Sequence, residues 1–455
     1  MKTNIAPLSG TRREFIKKAT TAAAVVATTN LFKTPVYGQN QAPSPGSVIG
    51  ANNRIVVGHI GVGGQGMSHV KSQKDHAGEN NIVQAAVCDL SKTRTQEAKA
   101  AIGNDCEGFA DHRKLLERKD IDAVTIATVD HWHAHCAMDA MNAGKHVYVE
   151  KPMTRYLDEA FAIGDTVKNT GKVLQIGSQI CSDATWHKAA ELIKAGKIGP
   201  LVLAQDSYMR NNPNGEWNYP IKSWCTPEDL DWQRWQGEVH RKTDFNPDAY
   251  FRWRKYYPYC AGLLGDLMPH RLHPLMLATG SPEFPIRVVS LGNKKIHTDR
   301  NTPGTPERDV PEQVQLIAEF PSGLNILVTS STISQIGLPS VIRGHKATLY
   351  MGGDRVELNP EPPFSDEIDP QVFEHLQPSG QKIEAMEKNW FDCIRSGQQP
   401  YGNIDLAVRV QTVISLAEMS QRLNIMCLFD EKTRKITTGE GREIKPITYG
   451  TLTLS

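Results

Sequence analysis

Three clusters of residues have types and spacings that can do chemistry: Gly61-Val62-Gly63-Gly64-Gln65-Gly66, the run from Thr128 to His135, and Glu150-Lys151-Pro152. The glycine cluster follows a short apolar run, Ile55 to Ile60, and precedes an amphipathic segment. Strand, tight turn and helix in that order give a G-x-G-x-x-G match its meaning. Gly61 permits the tight turn, Gly63 and its neighbour Gly64 let backbone approach a pyrophosphate, and Gly66 permits close helix–strand packing. The helix start then offers free N–H groups and a positive dipole end to phosphates. A second β-like run, Ile82 to Cys88, ends at Asp89, where a carboxylate grips a ribose 2′-hydroxyl and repels a 2′-phosphate. The pattern therefore predicts NAD in preference to NADP, a preference tempered by the nearby Lys92 and Arg94.

The other two clusters fall at carboxyl ends of predicted strands, where ligands gather in a doubly wound sheet. Asp130, His131, Trp132, His133 and His135 are expected in a loop after a strand at Ile121 to Ala127. No carboxylate or cysteine at ligand spacing accompanies the alternating histidines, so a metal is not expected. Asp130, His133 and Glu150 are instead expected to line the cofactor crevice, with Trp132 as an apolar wall. Lys151, at the end of a strand over His146 to Val149, reads as a site lysine, because desolvation there tunes an ammonium for hydrogen bonding or proton transfer.

The elements that must position these residues follow from periodicity and punctuation. Helices are predicted over Met67 to Lys74, Lys92 to Ile102 with Ser91 as cap, His112 to Arg118, and Ala134 to Ala143. A strand at Val173 to Ile176 completes the set. Strands alternating with helices predict an α/β fold with a parallel sheet over residues 54–178.

At 455 residues the chain fits two domains and a leader. Thirty-nine per cent apolar residues and a net charge of +1 describe a globular protein and argue against nucleic-acid or general membrane-surface binding. Eight scattered cysteines with no C-x-x-C pair predict buried free thiols. Residues 1–38, with Arg12-Arg13, Phe15 and a soft Ala/Val/Thr stretch, resemble a twin-arginine export signal, and residues 39–53 read as a flexible linker. The expected destination is the periplasm, with the export machinery as a partner and no lipid-bearing cysteine.

The glycine loop, Asp130-His131-Trp132-His133, Gly144-Lys145-His146-Val147 and Glu150-Lys151-Pro152 together resemble the Gfo/Idh/MocA family, that of glucose–fructose oxidoreductase and inositol dehydrogenase. The resemblance runs from Arg54 to about Asn424. It implies a second domain, 179–455, built on an open, largely antiparallel sheet that covers the nicotinamide and aids a homo-oligomer, a dimer or tetramer. It also implies a catalytic Lys and Asp-x-x-x-His set, which falls on Lys151, Asp266 and His270. A histidine has a pKa near working pH and suits the base that takes a hydroxyl proton. Asp266 then orients His270 or holds a neighbouring hydroxyl. The family often carries an acid three places later, where this chain has His273; Asp266, His270 and His273 therefore leave a metal alternative open.

Asn211 to Tyr259 is long, irregular and rich in Trp, Tyr, Arg and Pro, which marks a functional loop or one carrying short helices. Tyr250, Arg252 and Trp253, with Trp217, Trp224 and Arg254, form the pool of sugar-stacking candidates, against the alternative that they pack the loop onto the sheet. Further strands are predicted at Leu201 to Met209, Ile286 to Leu291, Val314 to Phe320, Leu324 to Ser330 and Ala347 to Tyr350, and a helix over Trp186 to Lys194. Two helices, around Trp390 and Val410, are expected to close the chain.

These features predict an exported NAD-dependent oxidoreductase for a secondary hydroxyl of a sugar, glycoside or polyol. An NAD-dependent glycoside hydrolase working by transient C3 oxidation and elimination is the alternative, and a non-catalytic sugar- or nucleotide-binding protein the third reading. A periplasmic enzyme lacks a nicotinamide pool, so tightly held cofactor is expected.

Overall fold

The computed structural model describes residues 54–103, 105–297, 307–377 and 382–448. The proposed export signal and linker lie outside the described residues. Six parallel strands form the first sheet: β1 (Ile55–Ile60), β2 (Ile82–Cys88), β3 (Glu107–Phe109), β4 (Ala123–Ile126), β5 (His146–Glu150) and β6 (Leu174–Gly177). Their order, β3-β2-β1-β4-β5-β6, reverses direction between β1 and β4, and such a switch point opens a crevice for ligands. Helices α1 (Gly64–Asp75), α2 (Lys92–Ile102), α3 (Asp130–Asn142) and α4 (Leu157–Thr170) connect or flank the strands. Ser91 caps α2 by accepting from Arg94 N–H, as its place in sequence predicts.

One local expectation is corrected here: the Asp130–His133 stretch is not a loop but the first turn of α3, with Val129 extended before it and an acid at the positive end of the helix. Between Pro152 and Val173, a stretch the sequence reading leaves unassigned, α4 forms; the Glu159 carboxylate accepts from Tyr156 N–H at 3.0 Å and closes its first turn.

After α5 (Ala184–Lys194) the chain builds a second, mixed sheet. It comprises β7 (Leu201–Asn211), β8 (Arg287–Asn293), β9 (Gln313–Glu319), β10 (Asn325–Ser331), β11 (Ile333–Ser334), β12 (Ser340–Gly344), β13 (Ala347–Gly352), β14 (Arg355–Pro360), β15 (Gln371–Phe373), β16 (Cys427–Asp430), β17 (Lys435–Thr438) and β18 (Glu443–Ile444). Every pairing is antiparallel except β7 with β10. Alternation places Val314, Leu316 and Ala318 in the core and leaves Ile317 outward, the period-two rule for a sheet with one open face. Pro321-Ser322-Gly323 forms the predicted hairpin turn, with Gly323 at φ 87°.

The long 211–259 segment carries short helices at Trp232–Gln236, Pro247–Phe251 and Trp253–Lys255. Its aromatics form their own buried cluster with Trp235, Tyr250 and Tyr259, so most of them are packing rather than ligand surface. A break follows in the chain between α6 (Leu263–Asp266) and α7 (Pro269–Ala278), where Pro269 occupies a first turn that lacks use for its missing N–H. Helices α8 (Ile383–Ser396) and α9 (Ile404–Leu423) do not close the chain; β16 to β18 extend the second sheet after them. Helix α8 turns back onto α1, β5 and β6 of the first sheet. All eight cysteines are buried free thiols. Among the described residues no helix is long and apolar enough to cross a membrane.

Candidate active site

Two adjoining cavities open at the carboxyl ends of the first sheet. One, of about 530 Å³, is lined by Gly61, Gly63, Gly64, Asp89, Arg94 and Trp132. The other, of about 470 Å³, is lined by Lys151, Asp266, His270, Asp130, His133 and Glu150. They share Gln65, Ala127, Thr128, Tyr219, Trp253 and Arg254, so a ligand extended along one reaches the other.

The first cavity suits a dinucleotide. Gly61 has φ 80°, and a Cβ built on Gly66 would stand 2.0 Å from the Gly61 carbonyl oxygen. Only glycine at 66 lets the helix start this close to the turn. Nothing among the described residues lies within 4 Å of a Cβ built on Gly64, which leaves the α1 N-terminus open to a phosphate. Asp89 Oδ2 accepts from Val62 N–H and Oδ1 from Ser91 N–H, both at 2.9 Å, so the carboxylate is held in place at the end of β2. The Arg94 guanidinium lies over Tyr250 at 4.6 Å from the ring centre, walling the same end.

The second cavity concentrates charge. Lys151 Nζ donates to Asp266 Oδ1 and to the Asp266 carbonyl oxygen, both at 2.9 Å. Arg254 Nε donates to the same Oδ1 at 2.8 Å, and Trp217 Nε1 to Oδ2 at 3.1 Å. Burial opposes ionisation of Asp266, but the Arg254 and Lys151 cations beside it outweigh burial and hold its carboxyl far below the usual range. Burial likewise opposes the charge on Lys151, and Asp266 restores it, so its pKa ends above the ordinary value. An ammonium has three donors; two are used, leaving one for a ligand. His270 has the opposite character: burial first, then the Lys151 charge, push its pKa well below 6.5. Its ring is therefore neutral and free to accept a proton, but it is a weaker base than the near-neutral pKa expected from the sequence, and it packs 5.4 Å from the Tyr208 ring.

Glu150 forms the floor. Its Oε1 accepts from Gln65 Nε2 at 3.0 Å, His69 Nε2 at 2.9 Å and Gln179 Nε2 at 3.2 Å. His69 also donates from Nδ1 to Glu387 Oε1 at 2.6 Å. Burial opposes the imidazolium, but the two glutamates overcome it and raise the His69 pKa to about 9. The His69 cation in turn offsets the burial of Glu150 and keeps that carboxylate ionised.

The structure brings Lys151, Asp266, His270, Asp130, His133, Glu150 and Trp253 to the second cavity, and the glycines, Asp89 and Trp132 to the first. Tyr250 lines the first cavity, not the second. Arg252 lines neither, because its guanidinium is spent on Tyr219 O and Asp248 Oδ1. His273 lines neither; its Nδ1 donates to Pro269 O at 3.0 Å inside α7, and burial lowers its pKa to about 4. It therefore makes no cluster with Asp266 and His270, and among the described residues no three candidate ligands converge on a metal position. Gln65, His69, Gln179, Arg210 and Glu387 were not anticipated. Gln65 sat in plain view inside the glycine loop, whereas Glu387 had no local signal.

Residues 55–178 match the family described as an oxidoreductase family with an NAD-binding Rossmann fold, GFO_IDH_MocA. A glycosyl hydrolase family 109 protein of Shewanella baltica is 32% identical over 217 residues, 44% of this chain and 46% of that protein. An alpha-N-acetylgalactosaminidase of Shewanella oneidensis is 29% identical over 231 residues, 45% of this chain and 49% of that protein. The chain thus spans about half the length of the curated relatives it matches. Levoglucosan dehydrogenase, solved with NADH and levoglucosan, superposes with a TM-score of 0.62 at 18% identity, covering 85% of this chain and 99% of that one. That likeness shows a shared fold.

Proposed function

We propose that the protein, whose residues 55–178 match the Gfo/Idh/MocA oxidoreductase family, is an NAD-dependent oxidoreductase acting on a secondary hydroxyl of a sugar, glycoside or polyol. The observation that carries this reading is the meeting of Lys151, Asp266 and His270 in one cavity that runs into the glycine-loop cavity. Bound NAD supplies the hydride acceptor or donor. Gly61 to Gly66 and Asp89 would hold its pyrophosphate and ribose, in a cavity that Trp132 and Gln65 also line. His270, neutral and buried, takes the proton of the reacting hydroxyl. The remaining Lys151 N–H hydrogen-bonds to that oxygen and steadies the charge it develops. Asp266 holds the ammonium in place and, with Trp217 and Arg254, keeps its own geometry fixed.

A second reading has its own support. The Shewanella relatives carry glycosidase names, and the same Lys151 and His270 serve a hydrolase that oxidises a sugar transiently and releases its aglycone. Export by the twin-arginine route is part of the proposal and rests on Arg12-Arg13 and the soft stretch after them. Association of two or four copies is supported by the open face of the second sheet, where Leu291 is 68% and Ile317 49% exposed. The export half is checked by fractionating expressing cells with and without the paired arginines, and the assembly by light scattering.

The deciding experiment mixes purified protein and NAD with a panel of sugars and aryl glycosides and follows both reduced-nicotinamide absorbance and free aglycone. Absorbance that grows with substrate supports the oxidoreductase. Aglycone without net reduced cofactor supports the hydrolase. Turnover that survives both Lys151→Ala and His270→Ala ends either assignment.

A further inference from the structure

We propose that Asp130 is a further catalytic residue of the second cavity, contacting a substrate hydroxyl and exchanging its proton, and not a ligand of the dinucleotide. This rests on the sugar-active reading above. Asp130 lines the cavity that holds Lys151 and His270 and is absent from the wall of the glycine-loop cavity. It is 3% exposed, and among the described residues its buried Oδ2 has no hydrogen-bond partner. A buried polar oxygen left unsatisfied gives up its hydration without a hydrogen bond in return, and native structures retain few of them. A ligand hydroxyl arriving in the cavity supplies the missing partner.

The placement is built by three elements. Asp130 opens α3, directly beyond β4 at the sheet's switch point. The carboxyl packs beside Gly265 in α6, whose Cβ position lies 3.6 Å from Oδ2, an ordinary van der Waals separation. Arg254 and Lys151, which face it, are both committed to Asp266 instead. The titratable and charged groups around Asp130 are His133 on its own helix, Arg254, Lys151, Asp266 and Cys260. Burial outweighs the opposing influence of His133, Arg254 and Lys151 and moves its pKa up from the ordinary carboxylate value. An alcohol oxidation needs one base and one polarising donor, which His270 and Lys151 supply. A further titratable carboxyl in the same cavity suits a substrate with a second hydroxyl or a glycosidic oxygen beside the reacting carbon.

The test compares wild type, Asp130→Asn and Asp130→Leu as full chains. NAD affinity is measured by fluorescence titration, and turnover with levoglucosan and 4-nitrophenyl N-acetyl-α-D-galactosaminide across pH. The expected result is NAD affinity within twofold in all three and a loss of at least thirtyfold in kcat/KM for Asp130→Leu. The wild-type pH profile should also carry one ionisation above the ordinary carboxylate range that is missing from Asp130→Asn. Carboxyl-carbon NMR of the wild type, which needs no turnover, should show Asp130 titrating above that range and shifting on addition of either sugar but not of NAD. Unchanged kcat/KM in Asp130→Leu, or tenfold weaker NAD binding in both folded variants, overturns the proposal. If neither probe turns over, an NMR shift with sugar alone upholds the contact of Asp130 with a substrate hydroxyl, and the redox reading is decided by the wider panel of sugars. A shift with NAD, or with neither ligand, removes Asp130.

Discussion

His69 and Glu387 are 318 positions apart in the chain and 2.6 Å apart in space. That contact ties α8, from near the chain's end, to α1 beneath the glycine loop, and it passes through His69 to Glu150 at the floor of the second cavity. Three buried ionisable groups sharing hydrogen bonds are costly to break from one side, because the remaining charge stays buried. Glu387→Gln should therefore lower unfolding free energy by about 3 kcal/mol, read from urea denaturation.

The same network sets a pH dependence with a definite sign. His69 has its pKa raised from 6.5 to about 9 on folding. Its contribution is complete below the unfolded value and is lost as pH rises through about 9. The melting temperature of wild type should fall between pH 6.5 and 9.5 more steeply than that of His69→Gln. Parallel curves would show that His69 does not carry the linkage.

At the glycine loop, Gly66→Ala forces a Cβ to 2.0 Å from backbone oxygen, which no side-chain shift relieves. Loss of NAD binding together with a destabilisation of at least 2 kcal/mol is expected. Gly64→Ala, with open space around it, should leave the melting temperature within a few degrees. Calorimetry of the two variants side by side distinguishes a strained turn from a general intolerance of side chains.

Asp89 sets coenzyme choice if the ribose lies against β2. Asp89→Ala should weaken NAD binding on the order of tenfold, about 1.4 kcal/mol. It should also narrow the gap to NADP, because Arg94 lines the same wall. Titration with both dinucleotides measures the ratio directly; an unaltered ratio would place the ribose elsewhere.

Burial and the Lys151 charge together depress His270, so removing that charge must move its pKa back toward 6.5. Imidazole proton NMR of Lys151→Met should show His270 titrating at higher pH than in wild type. Turnover in His270→Ala should fall by roughly a hundredfold or more, with NAD affinity retained.

Much of this protein was legible in the sequence because the relevant constraints are local. The glycine spacing sits between a β-like run and an amphipathic stretch, and β2 and α2 have the residue bounds their composition predicts, Ile82–Cys88 and Lys92–Ile102. Lys151 could be placed at a strand's carboxyl end for the same reason. Other features had no local signal. The first turn of α3 reads as loop because its histidines and tryptophan are poor helix formers, and tertiary burial overrides that preference. Strands β16 to β18 are short and gain their stability from joining an existing sheet edge.

The amino-acid order by itself determined a dinucleotide turn and a parallel sheet, and its resemblance to a family pointed to Lys151, Asp266 and His270. Only the folded chain decided that Arg252 and His273 line neither cavity, that Arg254 shares Asp266 with Lys151, and that Glu387 reaches His69. Those outcomes depend on which side chains desolvate one another across hundreds of residues. Spacing along a chain carries no information about that until the sheets and helices have closed.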